Sequence, residues 1–170
     1  MPYTPSSLWL ALDRYSVNNM YSRDTAPYTV LIVDDSEDDR FFIRTILGRF
    51  PRFKIIGEVC DGEEAIAYIS GRQEFADREK YPLPDLMLLD IKMPRKTGFE
   101  VLQWMSAQSL PNLTVIVLSS SSLAQDIGAS LALGAHGFWT KTAEVEKQNM
   151  IVQEIKVILD NRGSCALAKT

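Results

Sequence analysis

The chain has 170 residues, about one domain by length, and its 46% hydrophobic content is enough to bury a substantial core. A formal net charge of −4 removes any general electrostatic reason to bind nucleic acid, because such affinity comes from Lys and Arg neutralising phosphates. No basic segment precedes the first apolar cluster, and Leu8-Trp9-Leu10-Ala11-Leu12 falls far short of the ~20 residues of a membrane span, so a cytoplasmic protein with no membrane partner is expected. Residues 1–26 read as an N-terminal extension with one short helix starting near Ser6 or Ser7. A strand over 29–33 ends at Asp34 and Asp35. Ser36 then caps a helix whose apolar positions Phe42, Ile43, Ile46 and Leu47 repeat at helical spacing until Gly48 and Pro51. Residues 53–59 form a second strand, and Asp61-Gly62 turns the chain into a helix with Ala65, Ile66 and Ile69 on one face. The charged, proline-ended segment 71–84 reads as a surface excursion outside the core that begins by prolonging helix two. A third strand runs to Asp90, a loop covers 93–98, and helix three spans 99–107 with Val101, Leu102 and Met105 inward. Strand four is 114–118, helix four about 123–133, strand five 137–140 and helix five about 143–160, with 162–170 left as a tail. Cys60 follows strand two and Cys165 lies in the tail; their spacing is neither a zinc signature nor a disulfide framework, so both are expected as free thiols.

Four of these strands are apolar runs without alternation, which suits burial on both faces, and each gap between them holds at least one helix. The predicted architecture is a (βα)5, doubly wound parallel five-stranded sheet. Its strands would then all end on one edge, the edge where open α/β sheets bind ligands. The residues at those ends are Asp34 and Asp35, Asp90, Ser119 and Lys141.

Three converging carboxylates repel one another unless a cation neutralises them, and hard oxygen ligands favour Mg²⁺. A carboxylate beside Mg²⁺ can carry a phosphoryl group, whose oxygens the Ser119 hydroxyl and the Lys141 ammonium would match. Each residue also has a bland reading: Asp35 as a helix cap, Ser119 as one of four serines able to cap helix four, Lys141 as a solvated loop lysine. Their joint order at the ends of buried strands favours one shared site.

Val33-Asp34-Asp35, Leu89-Asp90-Ile91-Lys92-Met93-Pro94 with Gly98, Ser119, and Lys141 after Gly137-Phe138 resemble the receiver domain of two-component response regulators, over about residues 28–160. The resemblance implies a flavodoxin-like fold with strand order 2-1-3-4-5 and a receiver over 27–161. It implies phosphorylation of Asp90 by a histidine kinase or phosphotransfer protein, and Mg²⁺ on Asp34, Asp35, Asp90 and the Lys92 carbonyl. Ser119 and Lys141 would bind phosphoryl oxygens, and Phe138 would switch rotamer with Ser119. No recognisable output domain follows, so a stand-alone, non-enzymatic receiver is implied, similar to the single-domain regulators partnered with bacterial phytochromes. Thr142 replaces the proline that most receivers carry after the lysine, so a trans Lys141–Thr142 bond is expected. Trp139 is expected to pack inward.

Three alternatives stay in view: a degenerate receiver used as a phosphorylation-independent scaffold, a Mg²⁺-dependent phosphohydrolase, and an FMN-binding flavodoxin. Lys92 stands where such hydrolases carry a second acid, and the acidic loop after strand one would repel the flavin phosphate. Helix five carries more apolar residues (Val145, Ile151, Val152, Ile155, Ile158, Leu159) than one sheet face needs, which points to a partner or a homodimer through helix 4, strand 5 and helix 5. Folding back of Leu8, Trp9 and Leu12 would instead cover that surplus.

Overall fold

Strand β1 (Tyr28–Val33) buries Val30, Leu31, Ile32 and Val33 completely, because the pleat sends alternate side chains into two separate apolar layers. Leu31 and Val33 enter one layer, Val30 and Ile32 the other. The computed structural model describes residues 26–165, with side chains to 162. It contains β2 (Phe53–Val59), β3 (Leu86–Leu89), β4 (Thr114–Ser119) and β5 (Gly137–Thr140) beside β1, all parallel in the order β2-β1-β3-β4-β5. Helices α1 (Glu37–Leu47) and α5 (Val145–Cys165) cover one face; α2 (Gly62–Ser70) and α3 (Gly98–Ser106) cover the other, and α4 (Ala124–Ala132) follows β4. The expected fold class, strand order and succession of elements are all present.

The helix starts follow from local chemistry. Ser36 Oγ accepts the Asp39 N–H at the head of α1, Asp61 caps α2, and Thr97 with Glu100 forms a reciprocal capping box on α3. Helix α4 begins at Ala124 with Leu123 at its N-cap and no side-chain cap there, although the Ser121 hydroxyl donates to Asp126 in the first turn and accepts the Leu123 N–H at 3.5 Å.

Segment 71–84 departs from expectation in two respects. Helix α2 is not prolonged: Gly71 takes a left-handed conformation, φ 65°, and its N–H returns to the last turn. Nor is the segment wholly outside the core. A 3-10 turn, Gln73–Ala76, buries Phe75, whose ring centroid lies 5.0 Å from Tyr68 and 5.2 Å from Tyr81. Arg78 then donates to the carbonyls of Tyr68 and Ile69 at 2.8 and 2.7 Å, satisfying the end of α2.

Helix α5 also runs past 160, to Cys165. Arg162 holds that end against the sheet by donating to Pro111 O at 2.7 Å and to Thr114 Oγ1. Trp139 is half-buried against the α1–α5 layer rather than enclosed, and its Nε1–H donates to Glu154 Oε2 at 2.6 Å. The short helix expected within 1–26 lies outside the described residues, as do Leu8, Trp9 and Leu12. No helix among the described residues is long and apolar enough to cross a membrane.

Candidate functional site

Each strand-end residue is fixed by its own backbone. The N–H of Asp34 bonds Val59 O at 3.1 Å, that of Asp90 bonds Val33 O at 2.9 Å, and that of Lys141 bonds Ser119 O at 2.8 Å, so the ladders continue one step beyond the strands into the site. Carboxylate oxygens of Asp34, Asp35 and Asp90 all lie within 4.8 Å of one another. Asp34 and Asp90 are buried and Asp35 is exposed.

Lys141 reaches across from β5. Its Nζ is 2.7 Å from Asp34 Oδ2, 2.6 Å from Asp39 Oδ2 and 3.9 Å from Asp90 Oδ2. It is therefore not a solvated loop lysine. Burial alone would depress its pKa, but the bonds to Asp34 and Asp39 outweigh that effect and hold it above the usual lysine value. Asp34 is pushed up from the usual carboxylate range by burial, despite the lowering by Lys141 and by the Ser36 N–H that it accepts at 3.0 Å. One oxygen, Asp90 Oδ1, is buried with no hydrogen-bond partner. A buried, unpaired anionic oxygen in a ring of hard oxygen donors fits a divalent cation such as Mg²⁺.

Ser119 is fully buried at the end of β4, where its Oγ accepts the Ser121 N–H at 3.4 Å. Phe138 lies on β5 facing the α2–α3 layer, half-buried. Lys92 is exposed on the loop after β3. That loop is docked by backbone: Gly62 N–H donates to Lys96 O at 3.1 Å and Gly98 N–H to Ile91 O at 3.2 Å, while Arg95 pairs with the buried Asp61. The carbonyl expected of Lys92 comes from this fixed loop. Among the described residues no peptide bond is cis, so Lys141–Thr142 is trans as expected.

Asp39 is the residue that the strand-end pattern does not point to. In the sequence it reads as a first-turn acid complementing the dipole of α1, and its partner lies 102 positions away. The nearby Cys60, Asp61 and Glu64 also approach one another, but Glu64 already accepts from the backbone N–H and the thiol of Cys60, and Asp61 from Glu64 N–H.

A parallel 2-1-3-4-5 sheet with acids at β1 and β3, a serine at β4 and a lysine at β5 defines a class, and the response regulator receiver domain family matches residues 30–156. The chain belongs to that family. It is similar to the nitrate/nitrite response regulator protein NarL of Escherichia coli, 32% identical over 120 residues, which are 71% of this chain and 50% of NarL. The chain thus spans half the length of that relative. It is also similar to response regulator Rcp1 of Synechocystis, 29% identical over 138 residues, 81% of this chain and 92% of Rcp1. Among solved structures, the phosphorylated cyanobacterial phytochrome response regulator RcpA is 32% identical with a TM-score of 0.67, covering 77% of this chain and 92% of that one. The Mn²⁺-bound form of Rcp1 is 30% identical with a TM-score of 0.65, covering 76% and 92%.

Proposed function

We propose that the chain is a cytoplasmic phospho-acceptor whose receiver spans 27–161, with Asp90 as the residue modified. The observation that carries this reading is the buried, unpaired Asp90 Oδ1 beside Asp34, Asp35 and the Lys141 ammonium. A carboxylate oxygen of Asp90 attacks the phosphorus of a phosphohistidine on a histidine kinase or phosphotransfer protein. An O–P bond forms as the N–P bond breaks, and the donor histidine leaves with the electron pair. Asp34, Asp35, Asp90 and the Lys92 carbonyl hold Mg²⁺, which supplies positive charge for the phosphoryl oxygens. Lys141 and Ser119 bind the remaining oxygens, and movement of Ser119 toward them frees space for Phe138 to turn inward.

The signal leaves through α4, β5 and α5, as a target contact or a homodimer. Val152, Ile155 and Leu159 of α5 are buried and Ile151 and Ile158 half-buried, whereas Val145 and Met150 stay exposed, as do Leu123 and Leu131 of the α4 region. Sedimentation with and without a beryllofluoride mimic reads this face; unchanged mass and shape would remove self-association from the proposal.

Incubation with phosphoramidate and Mg²⁺ followed by intact mass separates the alternatives. One phosphate on the wild type and none on Asp90→Asn supports the acceptor. No adduct supports a scaffold, and donor consumption without adduct a hydrolase.

A further inference from the structure

We propose that Asp39 is a positioning residue that holds the Lys141 ammonium off the Asp90 carboxylate, so that the attacking oxygen remains free. An ammonium has three N–H donors. Asp34 and Asp39 take Lys141 Nζ at 2.7 and 2.6 Å, while Asp90 Oδ2 at 3.9 Å is beyond hydrogen-bond reach. Asp90 Oδ1 is left with no partner at all. A buried carboxylate next to a lysine would ordinarily close that gap, since two opposite charges in a low-dielectric site attract strongly.

What prevents closure is a tether on either side of the lysine. Its backbone is bonded to Ser119 O at 2.8 Å. Asp39 is in turn seated by α1, where its N–H is the one that Ser36 Oγ caps at 3.2 Å. The helix start therefore sets how far the ammonium is drawn from Asp90. The separation leaves the third N–H of the ammonium free for a phosphoryl oxygen, and it spares the carboxylate from being neutralised before a cation arrives. Without Asp39, the remaining carboxylate in reach of Lys141 among the described residues, besides Asp34, is Asp90. The ammonium would then pair with the nucleophile and compete with Mg²⁺ for it.

This rests on the reading of Asp90 as acceptor, and three measurements on the full chain test it. In a crystal structure of Asp39→Asn without metal, Lys141 Nζ should lie within about 3.2 Å of an Asp90 oxygen. Half-saturation by Mg²⁺, followed by melting temperature, should need about tenfold more cation in Asp39→Asn, and phosphoramidate labelling should slow by about tenfold. The decisive readout is the same Mg²⁺ titration in a Lys141→Met background. If Asp39 acts through the lysine, adding Asp39→Asn there changes nothing; a plain loss of one negative charge weakens Mg²⁺ binding equally in both backgrounds and overturns the proposal. Asp39→Glu should recover part of the loss. An unchanged Nζ to Asp90 separation also overturns it. Should the wild type take no phosphate on Asp90, the acceptor reading fails, while the separation and the Mg²⁺ titrations still decide the role of Asp39.

Discussion

Lys141→Met tests the electrostatic balance of the site most directly, because Met keeps an apolar stem of similar length and deletes the ammonium with its charge and donors. Removing one member of a buried ion pair costs roughly 3–5 kcal/mol, since the partner is left buried and uncompensated. Here Asp34 is fully buried but the Asp39 side chain is 40% exposed and can rehydrate, which places the expected loss nearer about 2–3 kcal/mol at neutral pH without metal. That corresponds to a fall in melting temperature of about 10 °C. The pH dependence has a definite sign. Lys141 is raised above its ordinary value in the fold, so its contribution is complete below the unfolded lysine pKa and is lost only as pH rises through the folded one. Asp34 is already raised by burial, and without Lys141 it rises further. The deficit of the variant should therefore be full above the Asp34 pKa and shrink as pH falls through it, where protonation removes the unpaired charge. Saturating Mg²⁺ should narrow the gap at neutral pH. Urea unfolding of both chains at pH 7.5 and pH 5, with and without Mg²⁺, measures each part. Coincident unfolding curves at pH 7.5 without metal would refute the reasoning.

In the wild type, Mg²⁺ should stabilise the fold by mass action, by about 2.7 kcal/mol at a hundredfold excess over Kd, and so raise the melting temperature, and Asp35→Ala should weaken that effect; a flat titration into tens of millimolar counts against the three-carboxylate site. Gly98→Ala would place a Cβ 2.3 Å from Asp90 O and 2.7 Å from Ile91 Cα, both backbone atoms that cannot yield. A loss of about 2–3 kcal/mol in urea unfolding is expected, with slower labelling of Asp90. Phe75→Ala should cost about 3 kcal/mol although it lies in a polar segment, and a loss below about 0.5 kcal/mol would mean that its packing with Tyr68 and Tyr81 contributes nothing.

The strands were legible because Val30 to Val33, Leu86 to Leu89 and Val115 to Val117 are uninterrupted apolar runs, a pattern that only burial on both faces tolerates. The convergence of Asp34, Asp35, Asp90 and Lys141 was legible for a topological reason: parallel strands put their carboxyl ends on one edge. Asp39 was not, since an acid in a first turn is fully accounted for by its helix, and the lysine it binds is remote in the chain. Phe75 and Arg78 were hidden similarly. Their neighbours are charged, and the aromatic cluster and the α2 carbonyls they serve form only once the chain has turned back on Gly71. The extension of α5 depends on Arg162 finding Pro111 and Thr114, contacts that no helical period encodes.

Phe138 and Trp139 are adjacent in sequence yet belong to opposite layers of the fold, one against α2 and α3 and the other against α1 and α5. Any slip of β5 along its ladder moves an aromatic ring on both sides of the sheet at once. The indole N–H is spent on Glu154 of α5, so the colour and intensity of Trp139 emission depend on how that strand and that helix are aligned. With Trp9 and Trp104 replaced, Trp139 would be an optical gauge next to Lys141, able to report the state of the strand without any added label.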